Sequence, residues 1–181
     1  MLSKSDKEFL LQIARISIES AVRKKSEAMT GNHSSRLKEN CGAFVTLHKG
    51  GELRGCIGYI ESDKPLTDTV CDVAEKAALE DYRFTPVTPD ELTDIEIEIS
   101  ILSPLKLIRN IDELEVGKHG LIIEYQHNRG LLLPQVATEY GWDKETFLNQ
   151  TARKAGLQSD QWKDTRSKIY IFTAEIFREE K

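Results

Sequence analysis

Thr93-Asp94-Ile95-Glu96-Ile97-Glu98-Ile99-Ser100-Ile101-Leu102 puts isoleucine at every second position from Ile95 to Ile101, with Glu96, Glu98 and Ser100 between. A side-chain period of two marks a strand with one buried and one wet face, the pattern of an antiparallel sheet. Ser103-Pro104 ends the run. Upstream, residues 42–48 and 52–60 flank Lys49-Gly50-Gly51, and two adjacent glycines supply the positive φ angles of a tight hairpin. Downstream, residues 120–125 and 129–133 flank Gln126-His127-Asn128 as a second hairpin, and the aromatic, β-branched residues 168–178 form a last strand.

Helical signals lie between these strands. Ser5-Asp6-Lys7-Glu8 has the spacing of a capping box, and Leu10, Ile13, Ala14, Ser17 and Ala21 follow on one face of a 3.6-residue period. Residues 23–40 are polar and predict a mobile loop. Pro65 opens a helix to about residue 80, with Leu66, Val70, Val73, Ala74, Ala77 and Ala78 facing the core. Residues 134–140 predict a short helix. Asp143 is the N-cap of another over residues 144–155, with Gly156 as its left-handed stop. Helices interspersed with hairpins predict an α+β fold, a mainly antiparallel β-sheet with packed helices, in one domain over residues 1–181.

Composition narrows the function. Apolar residues make up 39% and charged residues 30%, a globular balance, and the net charge of −5 argues against a nucleic-acid partner, which needs a basic face. The run Arg23-Lys24-Lys25 suits the negative end of a helix dipole. No apolar stretch approaches the ~20 residues of a membrane span, and the N-terminus lacks the apolar core of a signal peptide. The three cysteines, Cys41, Cys56 and Cys71, form no C-x-x-C pair, and free thiols fit a reducing, cytoplasmic compartment. The four histidines are scattered, so no metal site is expected and no cofactor is predicted.

Leu53-Arg54-Gly55-Cys56-Ile57-Gly58 is the most specific string in the chain. Asp81-Tyr82-Arg83-Phe84, Val116-Gly117-Lys118-His119-Gly120-Leu121, Arg129-Gly130-Leu131-Leu132-Leu133-Pro134-Gln135-Val136, Gly141-Trp142-Asp143 and Lys154-Ala155-Gly156-Leu157 follow it in order. In this order the sequence resembles the AMMECR domain family, the system protein A of prokaryotic AmmeMemoRadiSam clusters. The resemblance implies an AMMECR-like fold in two lobes. It also implies a pathway shared with Memo-type proteins and a radical SAM enzyme.

The residues themselves mark a candidate site. Arg54 and Cys56 lie two apart on a predicted strand, so both side chains are expected on one face, where a guanidinium favours the reactive thiolate. Gly55 and Gly58 bracket the cysteine; glycine within a strand usually signals a bulge or the close approach of a ligand or another backbone. A plainer reading makes Cys56 a small buried hydrophobe and the two glycines a packing surface for a helix. His119, in a polar glycine-flanked turn, is the candidate base. Asp81, Arg83 and Arg129 are candidate contacts for a small anionic ligand, or else surface ion pairs. Glu96 and Glu98 read as a solvated strand face. These features carry three functions: an enzyme using the Cys56 thiol, a non-catalytic protein- or ligand-binding module, and, more weakly, an RNA-associated factor.

Overall fold

The computed structural model describes residues 2–25 and 34–179. They divide into two compact units, Met1–Leu102 with Glu175–Lys181, and Ser103–Ala174. Helices and antiparallel strands alternate along the chain, which gives the α+β class expected from the pattern.

The first unit contains α1 (Lys4–Arg23), β1 (Ala43–Lys49), β2 (Glu52–Tyr59), α2 (Leu66–Leu79) and β3 (Ile95–Leu102). Strand β1 lies between β2 and β3, antiparallel to both. The last strand, β7 (Lys168–Arg178), follows β3 in ladder order, and Glu179 N donates to Ile97 O at 3.0 Å. The isoleucine face is buried as predicted: Ile95, Ile97 and Ile99 join Val45, Leu47, Leu10, Ile18 and Val73 in one core. Helix α2 packs on β1 and β2, and α1 packs on α2 and β3.

Two predicted details shift. Helix α1 is capped two residues before Ser5, by Ser3, whose hydroxyl accepts from Asp6 N while the Asp6 carboxylate accepts from Ser3 N. Asp6 serves the third helical position as a glutamate would, and Ser5 and Glu8 lie inside the helix. Within the predicted polar loop, residues 26–33 lie outside the described residues. Ser35–Lys38, however, is a 3-10 turn that seals Leu37 from solvent, the one aliphatic side chain of an otherwise charged run drawn into the core.

The β1–β2 hairpin sets the register of the sheet edge. Gly50 (φ 60°) and Gly51 (φ 85°) sit between the paired residues Lys49 and Glu52, two consecutive positive φ angles that match the twist of the strands. His48 then faces Leu53, but Leu47 faces Gly55, so Arg54 is an extra residue, a β-bulge. Beyond it, Gly55 has no room for a side chain, because a Cβ there would lie 2.3 Å from Ala77 O of α2.

The second unit contains β4 (Lys106–Ile108), β5 (His119–Tyr125), β6 (Asn128–Leu132), α3 (Pro134–Glu139), α4 (Lys144–Lys154) and β7 as far as Ala174. Strand β7 pairs with β4 on one edge and β5 on the other, and β6 completes the ladder. Phe147, Leu148 and Ala152 of α4 close over Leu121, Ile123 and Ile171. Asp143 caps α4 by accepting from Thr146 N at 2.7 Å, and Gly156 (φ 74°) follows its end, both as predicted. Strand β4 was not predicted; three residues are too few for a periodic signal. Among the described residues no helix is long and apolar enough to cross a membrane.

Gly55→Ala forces α2 away from β2. A loss of about 2–3 kcal/mol in urea unfolding is expected, since the clash is with backbone that no rotamer change relieves. A loss below about 0.5 kcal/mol would show that the helix is not seated on this strand.

Candidate functional site

Cys56 faces away from the helices. Its register partner is Thr46, and the partner of Thr46 on the other side is Glu98, so the three side chains form one row across β2, β1 and β3. Thr46 Oγ1 donates to Cys56 Sγ at 3.3 Å, and the thiol is half-buried.

Strand β2 is the sheet edge, and the backbone of Cys56 points outward from it. Cys56 N donates to Asp81 Oδ2 at 2.8 Å, and Cys56 O accepts from Arg83 Nη2 at 3.3 Å. Asp81 also accepts from Arg83 N at 3.2 Å, from Nε at 2.9 Å and from Nη2 at 2.6 Å. One acid and one base thus take the donor and acceptor that a neighbouring strand would otherwise satisfy. Asp81 is 4% exposed. Its hydrogen bond from Arg83 outweighs the cost of burial and, with help from the Cys56 and Arg83 N–H groups, holds its carboxyl at about 2. Arg83 is raised in turn, first by Asp81 and, among lesser influences, by the charge of Cys56. Asp81 and Arg83 are therefore more than a surface pair, and the guanidinium that reaches the Cys56 backbone is that of Arg83. Arg83 also lies over the Phe84 ring, 5.5 Å from its centroid, and Tyr82, between Asp81 and Arg83 in the chain, is 94% exposed.

Arg54 does not serve the thiol as predicted. Its Nε and Nη2 grip Glu91 at 3.1 and 3.0 Å, and Lys49 Nζ reaches the same carboxylate at 3.0 Å. These contacts, Arg54 foremost, hold Glu91 well below the usual carboxylate range. The prediction failed because the bulge interrupts the period of two at Arg54 itself. Gly55 and Gly58 also differ from the expectation of ligand contacts. The space beside Gly55 is filled by α2, and a Cβ on Gly58 would lie 2.2 Å from Cγ of Phe44, its cross-strand partner.

His119 and Arg129 belong to the second unit. His119 Nδ1 accepts from Glu115 N at 3.1 Å while His119 N donates to Glu115 O at 3.0 Å, a double link that closes this turn. With the Nδ1 lone pair engaged, the neutral ring carries its proton on Nε2 and presents a donor; acting as a base requires breaking the Glu115 bond. Burial, then the Lys118 charge, pushes its pKa below the ordinary histidine value. Arg129 is exposed and stands opposite Glu124 in the β5–β6 ladder.

Sequence reasoning passes over Thr46, reads Glu98 only as part of a solvated strand face and counts His48 only among the scattered histidines, although His48 stands one row along the same face, opposite Leu53 and Glu96. The signal was the hairpin register, but counting back from Gly50-Gly51 without a bulge sets Thr46 against Gly55 and hides the row.

Comparison with known proteins agrees on one family. The model of the family described as AMMECR1 matches residues 11–177. A protein of Methanothermobacter thermautotrophicus is 45% identical over 186 residues, covering 99% of this chain and 97% of that one. A protein of Thermococcus onnurineus is 46% identical over 185 residues, covering 96% and 90%. The crystal structure of an uncharacterised Pyrococcus horikoshii protein superposes with a TM-score of 0.92 at 39% identity, over 99% of this chain and 94% of that one.

Asp81→Asn is expected to destabilise the chain by about 2–4 kcal/mol, because it leaves Arg83 unpaired beside a buried amide. The wild-type carboxyl is depressed, so its advantage over the variant is full above about pH 4 and fades as pH falls toward the folded value. Chemical denaturation across this range measures it, and a pH-independent difference would refute the assignment. For His119, nitrogen NMR should show the Nε2-protonated tautomer at neutral pH; a charged ring would contradict the geometry.

Proposed function

From the premise that this chain belongs to the AMMECR1 family, we propose that the outward face around Cys56 is a small-molecule site at which the thiol adds to an electrophilic double-bonded carbon of an anionic metabolite, the C–S bond forming as the double bond's electron pair moves to the far atom and the thiol proton passes to a neighbouring base. The observation that carries this reading is the half-buried Cys56, whose sulfur accepts from Thr46 and whose carbonyl accepts from the guanidinium of Arg83. A thiolate is the nucleophilic form of cysteine, and a fixed cation with a hydroxyl donor favours it. The same cation attracts a carboxylate or phosphate, and because Asp81 already orients it, it need not reorganise when the substrate arrives. Cys56 is the nucleophile, Arg83 the anion contact, Thr46 the donor to sulfur, and Asp81 a positioning residue. His48, diagonal to Cys56 at the ~7–8 Å usual between such strand positions, is the candidate proton acceptor.

The family resemblance supports a pathway with Memo-type and radical SAM proteins as the setting. The binding-module alternative relied on Gly55 and Gly58 as openings for a partner's backbone, and Ala77 and Phe44 fill both.

Thiol labelling tests the reading. Burial pushes the Cys41 and Cys71 thiols up, so near neutral pH iodoacetamide should modify Cys56 first. Iodoacetate, its anionic counterpart, should lose about threefold or more relative to iodoacetamide in Arg83→Gln and keep its relative rate in Arg83→Lys. Labelling spread evenly over the cysteines, or a ratio indifferent to Arg83, would remove the proposal.

A further inference from the structure

We infer that the substrate of this face is amphipathic, an anion whose apolar chain or ring lies along β2 over the Cys56 thiol, from Leu53 toward Phe44, while its charged end meets Arg83. The inference rests on the thiol-site reading of this face and names its substrate class.

The β1–β2 register sets the thiol's neighbours. Leu53 faces His48, Cys56 faces Thr46 and Gly58 faces Phe44, so these positions share the outward face. Leu53 and Gly58 each lie one row from Cys56, about 7 Å along the strand. Leu53 stands three residues before Cys56, and in an unbroken strand an odd spacing puts two side chains on opposite faces. The bulge at Arg54 absorbs one residue and brings Leu53 round to the sulfur's side. On the other flank the Phe44 ring fills the space beside Gly58, where a Cβ would lie 2.2 Å from its Cγ.

The three strands present different surfaces on this face. β3 offers Glu96, Glu98 and Ser100, and β1 offers Thr46 and His48 beside Phe44. The outward row of β2 carries no charge, although an edge strand usually bears charged side chains. Leu53 is 41% exposed beside the thiol, an apolar surface left for another molecule to cover. The charge of this edge belongs to Arg83, whose side chain is 43% exposed. Its Nε and Nη2 serve Asp81 and the Cys56 carbonyl, so Nη1 is the nitrogen left to bind an anion. A bare anion would meet Nη1 and leave Leu53 in water, and a neutral apolar molecule would cover Leu53 and leave Nη1 without a partner. Covering about 60 Å² of apolar surface corresponds to about tenfold in affinity, enough to separate an amphipathic ligand from a bare anion.

Protection of the full chain from iodoacetamide tests this, with propionate, 3-phenylpropionate and the neutral 3-phenylpropionamide as probes. At Cys56, 3-phenylpropionate should half-protect at a concentration about tenfold below propionate and about threefold or more below the amide. Leu53→Gln should cut the preference for 3-phenylpropionate over propionate by about threefold or more. Leu107→Gln, at an exposed leucine of the second unit, should leave that preference unchanged. If 3-phenylpropionate protects no better than propionate or the amide, or if the preference is the same in both variants, the amphipathic substrate is overturned while selective labelling of Cys56 keeps the thiol site. Iodoacetamide labelling that does not choose Cys56 over Cys41 and Cys71 instead overturns the underlying reading.

Discussion

The hydrogen bond from Cys56 N to the buried Asp81 carboxylate is the contact on which the site depends. An edge strand leaves backbone groups with no ladder partner, and here a side-chain ion pair supplies one. Asp81 is buried, so it needs a cation, and Arg83 meets that need while reaching the Cys56 carbonyl. One arrangement closes the sheet edge, neutralises a buried charge and sets a guanidinium at the backbone of Cys56. Removing any member leaves another unsatisfied, which makes the arrangement rigid and suits it to holding a reactive group in place.

The face itself follows from packing on its reverse. Helix α2 comes so close to β2 that Gly55 cannot carry a side chain, which turns Gly55 inward and therefore Cys56 outward. Phe44 covers Gly58 on the outward side, and in the second unit Phe172 lies over Gly120 in the same cross-strand way. The glycines around Cys56 thus serve the chain's own close packing, and the side chains standing on the exposed face carry the chemistry.

Much of this fold was legible in the sequence because the signals were periodic or steric. The Ile95–Leu102 alternation, the Gly50-Gly51 turn, the Asp143 cap and the Gly156 stop each have a local physical cause and appear where expected. The site was legible only in part. The sequence offers Cys56 and Arg83 separately, and the spacing of two predicts Arg54 as the partner of Cys56, because residues two apart in a regular strand share a face. The long-range partners had no local trace: Glu91 for Arg54 and Asp81 for the Cys56 amide are 37 and 25 residues away. Thr46 escapes for the same reason, since its place beside Cys56 exists only once the register is known.

The extra residue at Arg54 also decides which way the sulfur looks. A hairpin has two phases, and a ladder that took Arg54 into register would set it opposite Leu47, deep in the core, and carry Cys56 round to Val45 beneath α2. A guanidinium cannot be buried there without a counter-ion. The positive charge of Arg54, anchored outside the ladder on Glu91, therefore forbids the slipped phase. It touches no sulfur, yet it fixes the parity of the strand, and with it the side of the sheet on which a thiol is available at all.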